Sequence, residues 1–381
     1  MFGDNQRISG IQMERQFLLT YLGPVMLWIA PQLPGRYGIF SIAIGVLLLE
    51  IWVFFLMRQS HILRYPERYW GKYMGWAVKL IFESYLILTG GWLAASTGKI
   101  LQQYMIQGIP EWFIVALIVL TALAGNTTLQ VRGRFAQTVW PVAGSFVFLM
   151  LLLAAFQGQG GYGQEVQTQQ IIEYGGQFMM QETPIWNQNG FSQIGRNLVL
   201  VIACLSGVIF LPFVKMEPHT DSDYDSQTGI IFRIIGKTGI WTGAVILLLQ
   251  TVYGDTGAEF LDYPVLNMMA GVRIPGGFVR RIDMIFLAVI LFVLLFALGS
   301  IFFYSQYIFR EINEQSGKGL IRKIPAAVLC FLLGTVDFGG WSPIQDYMGI
   351  VTCIYLPLFL TLTCCNALLR RRQYGKQKEQ E

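Results

Sequence analysis

The sequence predicts an all-α membrane protein of ten transmembrane helices, arranged as two inverted halves of five in which helices 1 and 6 are discontinuous. Three observations predict it: the apolar composition, the number of long apolar stretches, and the interruptions within the first and sixth of them. Of 381 residues, 54% are hydrophobic and 13% are charged, whereas soluble domains carry about 25% charged residues. This composition indicates a chain that lies mostly within a bilayer.

Ten apolar stretches approach the length of a transmembrane helix, which needs about 20 residues. They are residues 11–30, 37–57, 74–97, 111–126, 138–156, 197–214, 229–252, 282–304, 324–338 and 347–367. The fourth and ninth are expected to be short or tilted helices. The single bundle 1–381 is predicted to comprise a first repeat, an outer loop, a second repeat and a cytoplasmic tail, which are residues 1–156, 157–195, 196–369 and 370–381. Because five is an odd number, the second half enters the membrane in the opposite orientation.

The distribution of lysine and arginine predicts the orientation, because cytoplasmic loops carry the excess of positive charge. With the N-terminus in the cytoplasm, most of these residues fall inside, among them Arg132 and Arg134 in the loop before the fifth stretch. Both termini are therefore predicted to be cytoplasmic. The net charge of +4 follows this topology, so no nucleic-acid partner is expected.

The interruptions in the first and sixth stretches indicate a ligand site. The first carries Gly23-Pro24 and the sixth carries Ser206-Gly207. A break frees backbone N–H and C=O groups, which lipid does not tolerate unless they line a cavity, and paired breaks in inverted halves are typical of a midplane binding site. Leu22, Gly23, Pro24, Ser206 and Gly207 are the candidate ligand-binding residues. Free helix ends favour both anions and cations, which suits a zwitterion such as an amino acid. The alternative is a pair of packing kinks.

Two charged residues lie within the third stretch. Lys79 and Glu83 are four residues apart, so they share one helix face, and charges inside a membrane are expensive and commonly functional. Counted from Met74 at about 1.5 Å per residue, Glu83 lies close to the bilayer midplane. Glu83 is predicted to face a cavity, held by Lys79, and to contact the ligand or a coupling proton. The alternative is a buried structural ion pair that joins helices.

Other kinds of site are not expected. The five cysteines lie in apolar stretches without a CxxC motif, and we interpret them as reduced packing residues; they are Cys204, Cys330, Cys353, Cys364 and Cys365. The two histidines, His61 and His219, lie in separate loops, so neither a metal site nor a cofactor is predicted. No catalytic residue is assigned, because no polar cluster occurs at a membrane face.

Two predicted outer loops and one glycine pair are candidate partner surfaces. Residues 157–195 are rich in glycine and glutamine, and residues 253–281 contain Tyr263-Pro264. Each loop is either an ordered cap or partner surface, or a solvated loop. Gly239 and Gly243 form a small-residue strip on the seventh stretch, suited to helix packing and, facing lipid, to contact with a partner subunit.

Two sets of short motifs resemble one known family. The first comprises Ile8-Ser9, Gln12, Leu22-Gly23 and Pro31, and the second comprises Tyr263-Pro264, Arg281-Ile282-Asp283 and Phe286. The chain resembles the permease-like B subunits of spore germination receptors. The resemblance implies the amino acid–polyamine–organocation superfamily and a LeuT-like fold. It also implies a germinant ligand, an A subunit and a lipoprotein C subunit as partners, and a bacterial cell membrane or spore inner membrane as the location.

The predicted function is therefore sensing of a nutrient germinant, with an amino acid bound between spans one, three, six and eight. The alternative is a proton- or sodium-coupled amino-acid transporter of the same fold. Proton-coupled relatives in the superfamily often place a lysine in span five, and residues 138–156 contain none, which favours the sensor. A membrane-embedded enzyme is a third class, and the absence of a polar cluster at a membrane face speaks against it.

Overall fold

The computed structural model describes residues 8–33, 35–125, 128–158, 188–213, 223–257, 261, 263–272, 282–309, 324–336 and 343–378. Within these ranges the chain is almost entirely helical and contains no β-strand. The α-helices are α1 (Gly10–Pro24), α2 (Gly35–Arg58), α3 (Ser60–Arg64), α4 (Pro66–Trp70), α5 (Lys72–Tyr104), α6 (Glu111–Ala124), α7 (Leu129–Gly158), α8 (Gln188–Leu205), α9 (Asp223–Gly257), α10 (Pro264–Ala270), α11 (Ile282–Phe309), α12 (Ile324–Thr335), α13 (Pro343–Ile350) and α14 (Leu356–Lys378). The predicted all-α class is confirmed for this part of the chain.

Seven helical segments of the described chain are long and apolar enough to cross a membrane. They are Tyr37–Arg58, Lys72–Tyr104, Leu129–Ala154, Ser192–Phe210, Thr228–Tyr253, Asp283–Gln306 and Asp346–Arg370. Helices α6 and α12 are apolar but have only 14 and 12 residues, and they coincide with the fourth and ninth predicted spans. The chain is thus an integral membrane protein by its helices, while the count of ten spans, the LeuT-like arrangement and the division into repeats stay predictions.

The first helix changes its hydrogen-bonding pattern in the middle of the predicted first span. Ser9 and Gln12 form a capping box that fixes the start of α1, since each side chain satisfies a backbone N–H of the first turn. The backbone becomes π-helical at Val25–Ile29 and 3-10 helical at Ala30–Gln32. Pro24 lies at this transition, where its missing N–H removes one α-helical hydrogen bond.

Two further changes of helix type occur along the chain. Helix α8 continues as a 3-10 helix over Ser206–Phe213, where the sequence carries the second predicted interruption. The segment Val351–Tyr355, between α13 and α14, is π-helical, and the sequence pattern did not predict this change. Single-turn π-helical segments are frequent at functional sites, and a 3-10 stretch within a helix often marks a functional hinge, so these places are candidates for ligand contact.

Helices α5 and α11 form the centre of the bundle. In the most apolar 18-residue stretch of each helix, 61% of α5 and 67% of α11 is buried within the protein. The corresponding share in the segment Asp346–Arg370 is 22%. Helix α1 packs against α7, α9 and α11, and α5 packs against α6, α11 and α12. The N-terminal helix and the two central helices therefore surround one interior region.

Parts of two candidate partner surfaces pack against other helices of the same chain. A Cβ at Gly239 would lie 2.5 Å from Val46 Cγ2, so this end of the small-residue strip packs against α2 and does not face lipid. Gly243 has open space beside it. Within the loop 253–281, the short helix α10 packs against the bundle, since the Tyr253 hydroxyl donates to the Pro264 carbonyl at 3.1 Å. Most of the loop 157–195, from residue 159 to 187, lies outside the described residues.

The cysteines divide into two groups. All five are free thiols, in agreement with the prediction of reduced residues. Cys204 and Cys330 are buried, while Cys353, Cys364 and Cys365 are exposed on the surface of the chain. Only the first two therefore serve as packing residues of the bundle.

Candidate functional site

A cavity of about 100 Å³, here called the first cavity, lies inside the bundle. Its walls come from α1, α5, the segment Ser206–Phe213, α11 and α13. The first four correspond to predicted spans one, three, six and eight, and the last span adds Tyr347 and Met348. One water needs roughly 10–15 Å³ of such volume, so the first cavity has room for several waters or for one small molecule.

The walls of the first cavity are aromatic and carry hydroxyl groups. The aromatic residues are Phe17, Tyr21, Tyr85, Trp92, Phe210, Tyr304 and Tyr347, and Thr20, Thr89 and Ser300 supply aliphatic hydroxyls. Tyr85 stacks on Phe210 with ring centroids 5.8 Å apart. The lining formed by the described residues includes no charged side chain. A ligand would be oriented here by hydroxyl groups and ring faces.

On one side of the first cavity, hydroxyl groups connect α5 to the 3-10 segment Ser206–Phe213 and to α13. The Tyr85 hydroxyl lies 2.7 Å from Ser206 Oγ, and Ser206 in turn donates to the Ala203 carbonyl. Thr89 Oγ1 lies 3.2 Å from the Tyr347 hydroxyl. These bonds fix the positions of two ring hydroxyls on the cavity wall.

Tyr21 connects α1 directly to the end of α8, where the 3-10 segment Ser206–Phe213 begins. Its hydroxyl donates to the Leu205 carbonyl at 3.4 Å, a carbonyl at the end of α8. A Cβ at Gly207 would collide with the same hydroxyl. Glycine at position 207 therefore allows Tyr21 to reach the end of α8.

On the opposite side, α1 and α11 bring polar groups together. Thr20 Oγ1 and Ser300 Oγ lie 3.3 Å apart. Ser300 is only 1% exposed and donates to the Phe296 carbonyl at 2.9 Å. Arg132 Nη2 also donates to this carbonyl, at 3.0 Å, so the Ser300 hydroxyl can turn toward a ligand without leaving the carbonyl unpaired.

Arg132 places a positive charge directly behind the wall of the first cavity. It lies on α7, is 3% exposed, donates to Ser300 Oγ and sits over the Phe296 ring at 4.5 Å. In the described part of the chain, no carboxylate forms an ion pair with it, and its Nε has no hydrogen-bond partner. A charged side chain buried within a membrane helix indicates a candidate functional site. Because α7 begins at Leu129 and not at residue 138, Arg132 belongs to the helix and not to the preceding loop.

The predicted ligand-binding residues occupy different positions relative to the first cavity. Pro24 and Gly207 line it. Ser206 lies behind Tyr85 and is fully buried. Leu22 is in the core, and a Cβ at Gly23 would lie 2.6 Å from Leu294 Cδ2 on α11, so Gly23 allows two helices to approach.

The prediction that Lys79 pairs with Glu83 is wrong, because Lys79 pairs with a different glutamate. Lys79 Nζ lies 2.6 Å from Glu67 Oε1, and Glu83 accepts a hydrogen bond from Ser305. Gly75 explains the difference, since a Cβ there would lie 2.6 Å from Glu67 Cα, and its absence brings α4 close to α5. Glu83 is 9% exposed and does not line the first cavity.

Comparison with known families agrees with the resemblance found in the sequence. The family model described as spore germination protein matches residues 37–159, which is about a third of the chain and includes α5 and Arg132. This match confirms the predicted resemblance to the germination permease family. No curated protein matches the chain.

Proposed function

We propose that this chain is the nutrient-sensing, permease-like subunit of a spore germination receptor, and that it binds a small amino acid in the first cavity. One observation carries the proposal: a small aromatic and hydroxyl-lined cavity lies where irregular helices meet, with the Arg132 charge one hydroxyl away from it. The family match to spore germination proteins supports the germination context. The role is binding and not catalysis.

The polarity of the first cavity suits the two ends of an amino acid. A carboxylate would lie beside Thr20 and Ser300, where the buried guanidinium makes the potential positive, and such attraction is strong in a water-poor interior. An ammonium group would lie toward the tyrosine and tryptophan rings, whose faces attract cations. The volume of about 100 Å³ is below the 300–1,000 Å³ of drug-sized pockets, which favours a small side chain.

The proposed function requires partner subunits that respond to the ligand-bound conformation. A ligand changes a conformational equilibrium only through its different affinities for the two states. We propose that an A subunit and a lipoprotein C subunit in the spore inner membrane respond to this conformational change. The alternative is a proton- or sodium-coupled amino-acid transporter, which would act alone.

Two measurements test the proposal. Purification in mild detergent from the native host is expected to recover a second membrane subunit and a lipoprotein together with the chain. The purified chain in proteoliposomes is expected to bind radiolabelled glycine, L-alanine or L-serine without concentrating any of them inside. Recovery as a monomer that accumulates an amino acid would replace the sensor with the transporter. Absence of binding for all three amino acids would remove the proposed ligand class.

A further inference from the structure

A second, larger cavity lies next to the first. Its volume is about 250 Å³, and its walls come from α5, α6, α12 and α13. The residues that matter for its chemistry are Trp92, Lys99, Glu111, Trp112, Asp346 and Tyr347. In contrast to the first cavity, this second cavity carries both positive and negative side chains.

Two buried polar atoms in the wall of the second cavity lack partners within the described chain. They are Asp346 Oδ2, an acceptor, and Trp92 Nε1, a donor. Buried polar atoms are nearly always hydrogen-bonded, and each exception calls for an explanation. An unpaired acceptor and an unpaired donor on one cavity suit a ligand that has both a donor and an acceptor.

Lys99 and Asp346 do not neutralise each other directly. Lys99 forms no ion pair with Asp346 in the described part of the chain. The ammonium of Lys99 thus remains available to a carboxylate, and the carboxylate of Asp346 to an ammonium group.

One stacked pair of rings forms a wall between the two cavities. Trp92 and Tyr347 line both of them, and their rings stack with centroids 4.3 Å apart and planes 12° apart. Trp28 packs edge-on against Trp92 at 5.0 Å and supports it from within the bundle. A ligand that passes between the cavities must therefore displace this pair.

We propose that the second cavity is a separate binding site for a zwitterionic amino acid, with its ammonium group on Asp346 and its carboxylate on Lys99. The Trp92 and Trp112 rings would cover its side chain. The site relies on the proposed function only for the class of ligand. It would hold the charged ends of the ligand with side-chain charges, whereas the described lining of the first cavity offers hydroxyls and ring faces, so the second cavity is suited to replace the hydration of both charged ends.

Thermal stabilisation of the purified chain tests this site with minimal probes. Glycine at about 0.1 M, which fills millimolar sites, is expected to raise the melting temperature, while equal concentrations of ethylammonium chloride, sodium acetate and sodium chloride raise it less. Asp346→Asn and Lys99→Gln are each expected to weaken the apparent affinity for glycine by about 10–100-fold, as expected for lost charged hydrogen bonds.

Matched variants separate this site from the first cavity. Ser300→Ala alters only the first cavity and should leave a glycine-dependent shift in place. Trp92→Phe keeps a ring in the stack but removes the Nε1 donor and should weaken glycine binding; because Trp92 lines both cavities, Asp346→Asn is the variant that identifies the second site. If glycine stabilises the Asp346→Asn protein as much as the wild type, or does not stabilise the wild type, the second site does not exist. A full shift from sodium chloride would assign the cavity to an inorganic cation and overturn the amino-acid assignment. Loss of the response to glycine in Ser300→Ala alone would leave only the first cavity as a binding site.

Discussion

The two cavities differ in how they meet the charges of a ligand. The first cavity lies inside the bundle and its lining carries hydroxyls and rings, with the charge of Arg132 one hydroxyl behind the wall. The second cavity lies where helices begin and end, and Lys99, Glu111 and Asp346 are part of its lining. Charged side chains are expensive to bury, and those of the second cavity lie near helix ends, while the charge of Arg132 is separated from the first cavity by the Ser300 hydroxyl. Four substitutions test or refine this contrast.

The largest effect is expected from Arg132→Met. The guanidinium has no carboxylate partner among the described residues, so its removal leaves no buried counter-charge and should change stability little. Binding of L-alanine in the first cavity should fall by about 100-fold, since the attraction for the carboxylate is lost. Equilibrium binding and melting temperature should be measured together.

Arg134→Gln is the matched control for this prediction, because Arg134 lies on the same helix but is exposed. It should bind L-alanine as the wild type does. Wild-type affinity in Arg132→Met would mean that the charge behind Ser300 does not act on the first cavity.

Gly23→Leu is expected to have the next largest effect, on stability. The new side chain would collide with Leu294 and Val293 on α11, and overpacking of this kind costs about 1–3 kcal/mol. The folded fraction should bind L-alanine normally, because Gly23 does not line the first cavity. Melting temperature and binding to the folded fraction check both parts. If Gly23→Leu had a normal melting temperature but did not bind L-alanine, Gly23 would be a residue of the ligand site, as the sequence predicts.

The ion pair near α4 lies outside both cavities and provides a third test. Glu67→Gln leaves the buried Lys79 without its partner and should cost about 1–3 kcal/mol, reduced from the cost of a fully buried pair because Glu67 is 28% exposed. A double-mutant cycle with Lys79→Met should show coupling to Glu67 and none to Glu83. Coupling of Lys79 to Glu83 in chemical unfolding would restore the pair predicted from the sequence.

The smallest effect is expected from Tyr347→Phe. The substitution keeps the stacked ring but removes the hydroxyl that bonds Thr89, and a neutral hydrogen bond contributes about 0.5–1.5 kcal/mol. Stability should fall by this amount, and dissociation of L-alanine from the first cavity should become faster because the wall between the cavities is held less firmly. An unchanged dissociation rate would show that the stacked pair does not limit exchange.

The sequence predicted where helices would cross the membrane more successfully than how their faces would meet. Apolar length reveals a span, so the all-α class and the short fourth and ninth helices were accessible. The polar run around Arg132 hid the true start of α7 at Leu129, because a hydropathy window ends where charges begin, although the backbone continues without a glycine–proline break.

The contacts between helices explain the remaining differences. The four-residue spacing suggested Glu83 as the partner of Lys79, but Glu67 reaches it from another helix across Gly75. Gly23-Pro24 lies where the backbone changes from α- to π-helix, while the predicted discontinuity stays a prediction, and a sequence does not say which neighbour a glycine faces. The rings of Trp92 and Tyr347 are far apart in the chain, and only the packing of α5 against α13 brings them together.

The bond from Tyr21 to the Leu205 carbonyl has a consequence for sensitivity to ligand. Under the proposed function, a ligand ammonium group beside the Tyr21 ring that also bound this carbonyl would have to displace the Tyr21 hydroxyl, which lies 3.4 Å from it. A tethered competitor lowers apparent affinity by the fraction of time that it occupies the site. Under the proposed function, Tyr21 would in this way raise the ligand concentration at which the protein responds.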